Sequence, residues 1–357
     1  ISYRLVGSEM CIRDSTDTTP HIPEPHIEPG EVEERIPPAA PAIDTALCEG
    51  QAGRALLAQH DGVSDLTDAL TDSTGHTLDA PGVLYLCGGT WTTPLQIAAS
   101  DVFIVGTDDA QLSGASTHTP ITIDGDGHSV SVHSLTIADG LAQPVAPNGW
   151  NYGGGLLCSG SSRVALTDVT LRSNGISDPL SAQHYGGGMA LLGCDGTLDG
   201  VTAEDNEADQ GAVVYAEHAA RLSITDTTIT GSYGTDEGAV SAHRVDTVRV
   251  LRSTFTDNTV DEGLISEGAA LSIWYGALQV EDSTFTRNEA SDGGAIALYF
   301  TTAEVLHSTF TDNWAYEGGA IRAFSTTLTL EGADLTTNAA FYHGGGLYLK
   351  DADVTVE

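Results

Sequence analysis

The chain has 357 residues, of which 50 are acidic and 13 basic, giving a formal charge of −37, and Lys350 is its one lysine. A field of this size excludes nucleic acid and anionic membrane surfaces as partners, and it favours solubility and divalent cations. Aromatic content of 6% and 41 glycines, with abundant Thr, Ser and Asp, describe many short strands joined by tight turns, and no run of 18 apolar residues is present to cross a membrane as a helix.

Residues 1–15 (ISYRLVGSEMCIRDS) share no pattern with anything downstream and resemble translated adapter read-through at the edge of an assembled sequence, so they are set aside, and Cys11 with them. Residues 16–46 are rich in Pro, Glu and Thr and poor in large apolar side chains, which predicts a disordered, extended tether. Between 47 and 82 the spacing of Ala55, Leu56 and Leu57, then Leu66, Ala69 and Leu70, suits one or two short amphipathic helices and predicts a helical cap. Cys48, Cys87, Cys158 and Cys194 form an even set compatible with two disulfides in an oxidising compartment. The pairing stays open from sequence, although Cys48 with Cys87 and Cys158 with Cys194 would each close a local loop. Short β-branched pieces then follow at 83–86, 95–97, 102–105, 121–123, 130–132 and 135–137, each ended by Gly, Asp or Pro.

From about residue 130 onward the sequence repeats itself. The column Asn174, Asn206, Ser232, Asn258, Asn288, Asn313 and Asn338 recurs at a mean interval of ~27 residues. Three residues before each member stand Leu171, Ala203, Ile229, Phe255, Phe285, Phe310 and Leu335. Apolar columns eight and ten residues before, such as Val250 with Val248 and Leu330 with Leu328, show strand alternation on one face. A glycine column follows the Asn column at Gly187, Gly211, Gly238, Gly268, Gly294, Gly319 and Gly345, with an apolar or small residue two positions on, namely Met189, Val213, Val240, Ala270, Ile296, Ile321 and Leu347. A unit this short cannot bury its apolar face alone, so the units must stack with strands ~4.8 Å apart. The predicted fold is all-β, a right-handed single-stranded parallel β-helix (β-solenoid) over 83–357, cut at its C-terminal end. Stacked Asn amides would bond along the axis, and Thr228, Thr254, Thr284 and Thr309 would form an outward ladder.

STFTDN at 253–258, STFTRN with GGAIAL at 283–298, and STFTDN with GGAIRAF at 308–324 resemble the paired GGAI and FxxN repeats of polymorphic outer membrane proteins. More broadly, residues 83–357 are similar to pectin-lyase-like β-helix repeat proteins, with LYLCGGTW at 84–91 and the segment at 121–125 resembling the first coils of that fold. The resemblance implies an extracellular or outer-cell-surface location and an adhesin-like role. Membrane attachment would come only through an N-terminal anchor or a C-terminal module outside this sequence.

Arg163, Arg172, Arg221, Arg244, Arg249, Arg252, Arg287 and Arg322 occupy scattered column positions, unlike a lyase base site, and Asp124, Asp126 and His128 in DGDGHS read as an acidic turn. An acidic edge precedes the glycines at Asp209, Asp236, Glu237, Glu267, Asp292 and Glu317, where stacked like charges must splay into water or share cations, so weak Ca²⁺ binding is expected there. The intervals from Gly140 to Gly154 and from Asn174 to Gly187 are the two longest, at 14 and 13 residues, and their loops should touch. They carry Trp150, Tyr152, His184 and Tyr185, exposed aromatics suited to a sugar ring or a protein partner. The sequence therefore predicts a non-catalytic surface β-helix that binds a carbohydrate or protein ligand. A divergent polysaccharide lyase or hydrolase and a structural spacer are the alternatives.

Overall fold

Three short stretches of alternating apolar residues recur in each turn of the chain, and each pairs in parallel with its equivalent in the turns before and after. The computed structural model describes residues 43–71, 74–145, 149–175, 183–261 and 266–357, so the segment 1–15, Cys11 and the tether up to residue 42 lie outside the described residues.

The first strand position runs through Leu156–Ser159, Met189–Leu192 and Val214–Glu217. The second runs through Arg163–Thr167, Asp195–Asp199 and Arg221–Thr225. In the middle coils the two merge into long bent strands, Val240–Leu251, Leu271–Glu281 and Ile296–Leu306, so both positions belong to one 21-stranded sheet. The third position forms a separate ten-stranded sheet from Thr90–Trp91 to Asp334–Thr336. Corners between strands are taken by residues at positive φ, among them Asp226, Asp257, Asp282 and Asp312, whose short polar side chains tolerate the left-handed region.

The core is one column per inward position. Phe255, Phe285 and Phe310 are fully buried and stack at 4.9 and 4.7 Å with interplanar angles of 7° and 3°. Val248, Leu278, Ala303 and Leu328 pair in register on the second face. Gly196 stands in that column, where a Cβ would meet Leu191 Cδ1 at 2.5 Å and that side chain would have to shift.

Asparagine amides bond from coil to coil along the axis. Asn174 Nδ2 donates to Asn206 Oδ1 at 3.0 Å and to the Ile137 carbonyl at 2.9 Å, and Asn258, Asn288, Asn313 and Asn338 continue the pattern. Ser232 interrupts it: its Oγ is buried without a partner among the described residues. A second ladder, not anticipated, runs through Thr227, Ser253, Ser283 and Ser308, where each backbone N–H donates to the next coil's hydroxyl. Cys48 bonds to Cys87 and Cys158 to Cys194.

Two expectations are corrected. The segment 47–82 is not a helical cap. A single 3₁₀ turn, Thr45–Cys48, precedes Arg54–Gln59, which pairs antiparallel with Gly62–Asp65 on one side and with Gly82–Cys87 on the other. Ala55 and Leu56 are buried on that strand, and Gly53 and Gly62 at positive φ bracket it; the adjacent apolar triplet fits a strand laid over the sheet as well as a helix. The glycine column also shifts. Met189 pairs with Val214, and Val240 with Leu271, so Val214 and Leu271 take the inward rungs in place of Val213 and Ala270. The turn requires positive φ at its first glycine, and Gly211 and Gly268 fill that place alongside Gly186 and Gly293.

Candidate functional site

The two long loops do meet. Gln143–Val145 pairs antiparallel with Trp150–Tyr152, and Asn151 and Tyr152 pair in parallel with His184 and Tyr185. Their exposure is corrected: Tyr152, His184 and Tyr185 are each 4% exposed, and Trp150 alone reaches solvent at 41%. Parallel pairing sets successive rings one strand apart, so they cover one another's faces. Tyr152 stacks on Tyr185 at 4.9 Å, and Tyr185 meets Tyr215 at 4.8 Å and Trp150 at 5.4 Å. The loops lock together through a packed aromatic cluster.

The acidic edge separates into two positions. Glu237, Glu267, Asp292 and Glu317 bridge coil to coil as one column, whereas Asp209 and Asp236 stand one position earlier. These carboxylates turn toward an outward column of the first strand position, His243, Trp274, Tyr299 and Phe324, whose members pair in register. Glu237 accepts from Ser241 Oγ and from His243 Nε2 at 2.9 Å. Glu267 accepts from Trp274 Nε1 at 3.0 Å. Arg322 Nε lies 3.4 Å from Asp292 and 3.6 Å from Glu317, and its guanidinium stands 5.1 Å over the Tyr299 ring. Asp209 accepts from Thr235 Oγ1 at 2.6 Å and from the His184 backbone N–H at 2.7 Å. Among the described residues no group of three or more His, Cys, Asp and Glu side chains is arranged to hold a metal ion.

Burial governs the protonation of this strip. Desolvation, reinforced by the charge of Glu237, pushes the Glu267 carboxyl up to about 7. Asp292 is raised by burial, with Arg322 opposing and Glu317 adding to the shift. Burial alone would lower the His243 imidazole, but its hydrogen bond to Glu237 and that residue's charge outweigh it and raise it. Buried carboxyls next to ionised ones are how a protein stations a proton donor beside an acceptor.

The aromatic column is tightly stacked at its centre and opens on either side, at Tyr299–Phe324 (6.2 Å, 45°) and at His243–Trp274. Trp274 and Tyr299 lie 4.1 Å apart at 12°, and Tyr275 and Phe300 lie 4.9 Å apart at 6°, but His243 and Trp274 are 6.1 Å apart at 34°. The register shifts between Val245 and Thr247 at this step, which inserts Asp246 into one strand, and Gly276 closes against it where a Cβ would meet the Val245 carbonyl at 2.0 Å. The gap is a cavity of about 270 Å³ lined by Glu237, His243, Arg244, Trp274 and Tyr275. Arg244 sits 5.7 Å from the Tyr275 ring centroid, and no carboxylate among the described residues lies within ion-pair distance of it.

Two ring faces with a carboxylate, an imidazole and a guanidinium at the rim can hold a sugar ring, whose C–H face stacks while its hydroxyls bond to the charged groups. Sequence reasoning reached Glu237 and Glu267 but missed His243, Trp274, Tyr275, Tyr299 and the pairing role of Arg322. The available signal was the WY at 274–275 and the YF at 299–300, at matching places in successive coils. The DGDGHS turn is structural: Asp124 accepts from Ser159 Oγ at 2.7 Å, and Asp126 accepts from the Ser161 N–H at 2.8 Å.

Residues 121–335 match the family model described as "Right handed beta helix region". Neither the curated proteins nor the solved structures give a match.

Proposed function

Because the chain belongs to the right-handed β-helix family, we propose that it is a secreted or cell-surface β-helix that binds carbohydrate, in an adhesin-like role, at the cavity between the 240 and 270 coils. The observation that carries this reading is the opened aromatic stack with Glu237, His243 and Arg244 around it. Two disulfides accord with an oxidising location. The 150/185 loops offer less, because the ring faces of Tyr152 and Tyr185 are covered by one another and by Tyr215.

Hydrolysis of the bound glycan is the second reading. It is favoured by Glu267, a carboxyl raised to about 7, beside Glu237 in the adjoining coil. A polysaccharide array with and without Ca²⁺, followed by a reducing-end assay on each hit, tests both. Binding without product, lost in Trp274→Ala and kept in Phe341→Ala, is the expected result. New reducing ends would replace the binding reading with the hydrolytic one, and retention of full binding by Trp274→Ala would remove the cavity from the account.

A further inference from the structure

The outward face of the ten-stranded sheet carries a feature that the groove does not use. Thr228–Thr230, Thr254–Thr256, Thr284–Thr286 and Thr309–Thr311 are four successive strands of the form Thr-x-Thr, paired residue for residue with no register shift. They set eight threonines in two straight columns. Along a column the spacing is that of paired strands, ~4.8 Å, and across a strand it is two residues, ~6.7 Å. We propose that this lattice binds ice, its two spacings lying near the two repeats of a prism plane of hexagonal ice.

Three properties of the face support the assignment. It is backed from beneath by the near-parallel Phe255, Phe285 and Phe310 stack, with Ile229 under the first rung. At one strand end it is pinned by the Ser/Thr hydroxyl ladder, and at the other by the Asn ladder. Threonine χ1 is restricted, so each rung presents a methyl and a hydroxyl already in place, and little side-chain entropy is lost on docking. The hydroxyls are also free to act. Thr256 Oγ1 accepts from Arg287 at 3.2 Å, and none of the other seven is bonded within the described residues.

Strand propensity by itself does not produce this array. The neighbouring outward column in the same coils reads Ser223, Arg249, Gln279 and Glu304, a mixture, and the chain as a whole carries 63 charged residues. Eight contiguous outward positions nevertheless hold no charge and one residue type. A soluble partner protein would be met by charges and by side chains of unequal length, whereas a crystal lattice selects for repetition.

The test is thermal hysteresis and ice-crystal shaping by the purified protein, with partition into a slowly grown ice hemisphere. Wild type should facet ice and enrich in the solid. Thr284→Lys, in the middle of the lattice, should lose both effects, while Thr329→Lys, outward on the second strand position, should keep both, with unfolding curves confirming that each variant is folded. Absence of faceting by wild type, equal loss in the two variants, or retention of the protein on crystalline cellulose through Thr284 with no effect on ice would each overturn the proposal.

Discussion

Asn288 sits in the middle of the longest uninterrupted amide run, and its replacement measures what the ladder contributes. Its Oδ1 accepts from the Asn258 N–H at 3.3 Å and from Asn258 Nδ2 at 2.9 Å, while its Nδ2 donates to the Phe255 carbonyl and to Asn313 Oδ1, both at 3.0 Å. In Asn288→Ala the Asn258 N–H loses its acceptor in a fully buried setting, at ~1–3 kcal/mol. The other three contacts involve groups better provided for: Asn258 Nδ2 keeps the Ile229 carbonyl, and Asn313 Oδ1 keeps the Asn288 N–H. Those three losses come to ~0.5–1 kcal/mol each. The sum is about 2.5–6 kcal/mol. Asn288→Asp keeps the shape but points an acceptor at two acceptors, so it should cost more than alanine at neutral pH and recover part of that cost in mild acid, where the carboxyl takes a proton. Urea unfolding at both pH values, with hydrogen exchange at Asn258, reads both effects. An alanine cost under about 1 kcal/mol, or an aspartate that costs less than alanine at neutral pH, would refute the ladder as a source of stability.

The buried strip predicts an unusual pH dependence. Glu267 titrates at about 7 in the folded chain against an ordinary 4.5, so the folded state holds the extra proton, and stability falls as pH rises from about 4.5 through about 7 by roughly 3 kcal/mol. His243, also raised, acts in the same sense, its stabilisation being complete below its ordinary pKa and lost as pH rises through the folded one. Glu267→Gln should flatten the fall in Tm between pH 5 and pH 8, and an unchanged slope would count against the assignment. Replacing Cys158 and Cys194 together by alanine opens a loop of 36 residues and should cost about 4 kcal/mol by the chain-entropy relation; calorimetry showing no loss under oxidising conditions would contradict it.

Much of the fold was legible because the repeat spends one residue type on one task. Asn258, Asn288, Asn313 and Asn338 had to be a column, and Phe255, Phe285 and Phe310 had to lie inside. The N-terminal segment was less legible, since Ala55, Leu56 and Leu57 are consecutive and carry no period that separates a strand from a helix. The groove was least legible. His243, Trp274, Tyr299 and Phe324 share one outward position yet differ in type from coil to coil, so no column of identical residues announces them. The acidic column could be seen, but its partners lie on the strand that follows each glycine turn, and only register brings Glu267 to Trp274. Exposure of Tyr152 and Tyr185 failed for the same reason: aromatics in paired loops look available until stacking removes their faces.

The placement of the disulfides has a mechanical meaning. Strands pair from coil to coil, so a pull along the axis loads hydrogen bonds end-on, and these open one rung at a time. Coils of the C-terminal half would peel away singly, each paying out 25 to 31 residues of slack, as the intervals from Val240 to Leu271 and from Leu271 to Ile296 set them. The bond between Cys158 and Cys194 shortcuts its own coil, so the 36-residue interval between them adds no slack when tension reaches it. The bonded coil thus keeps its length covalently, while its neighbours on either side hold theirs by hydrogen bonds alone.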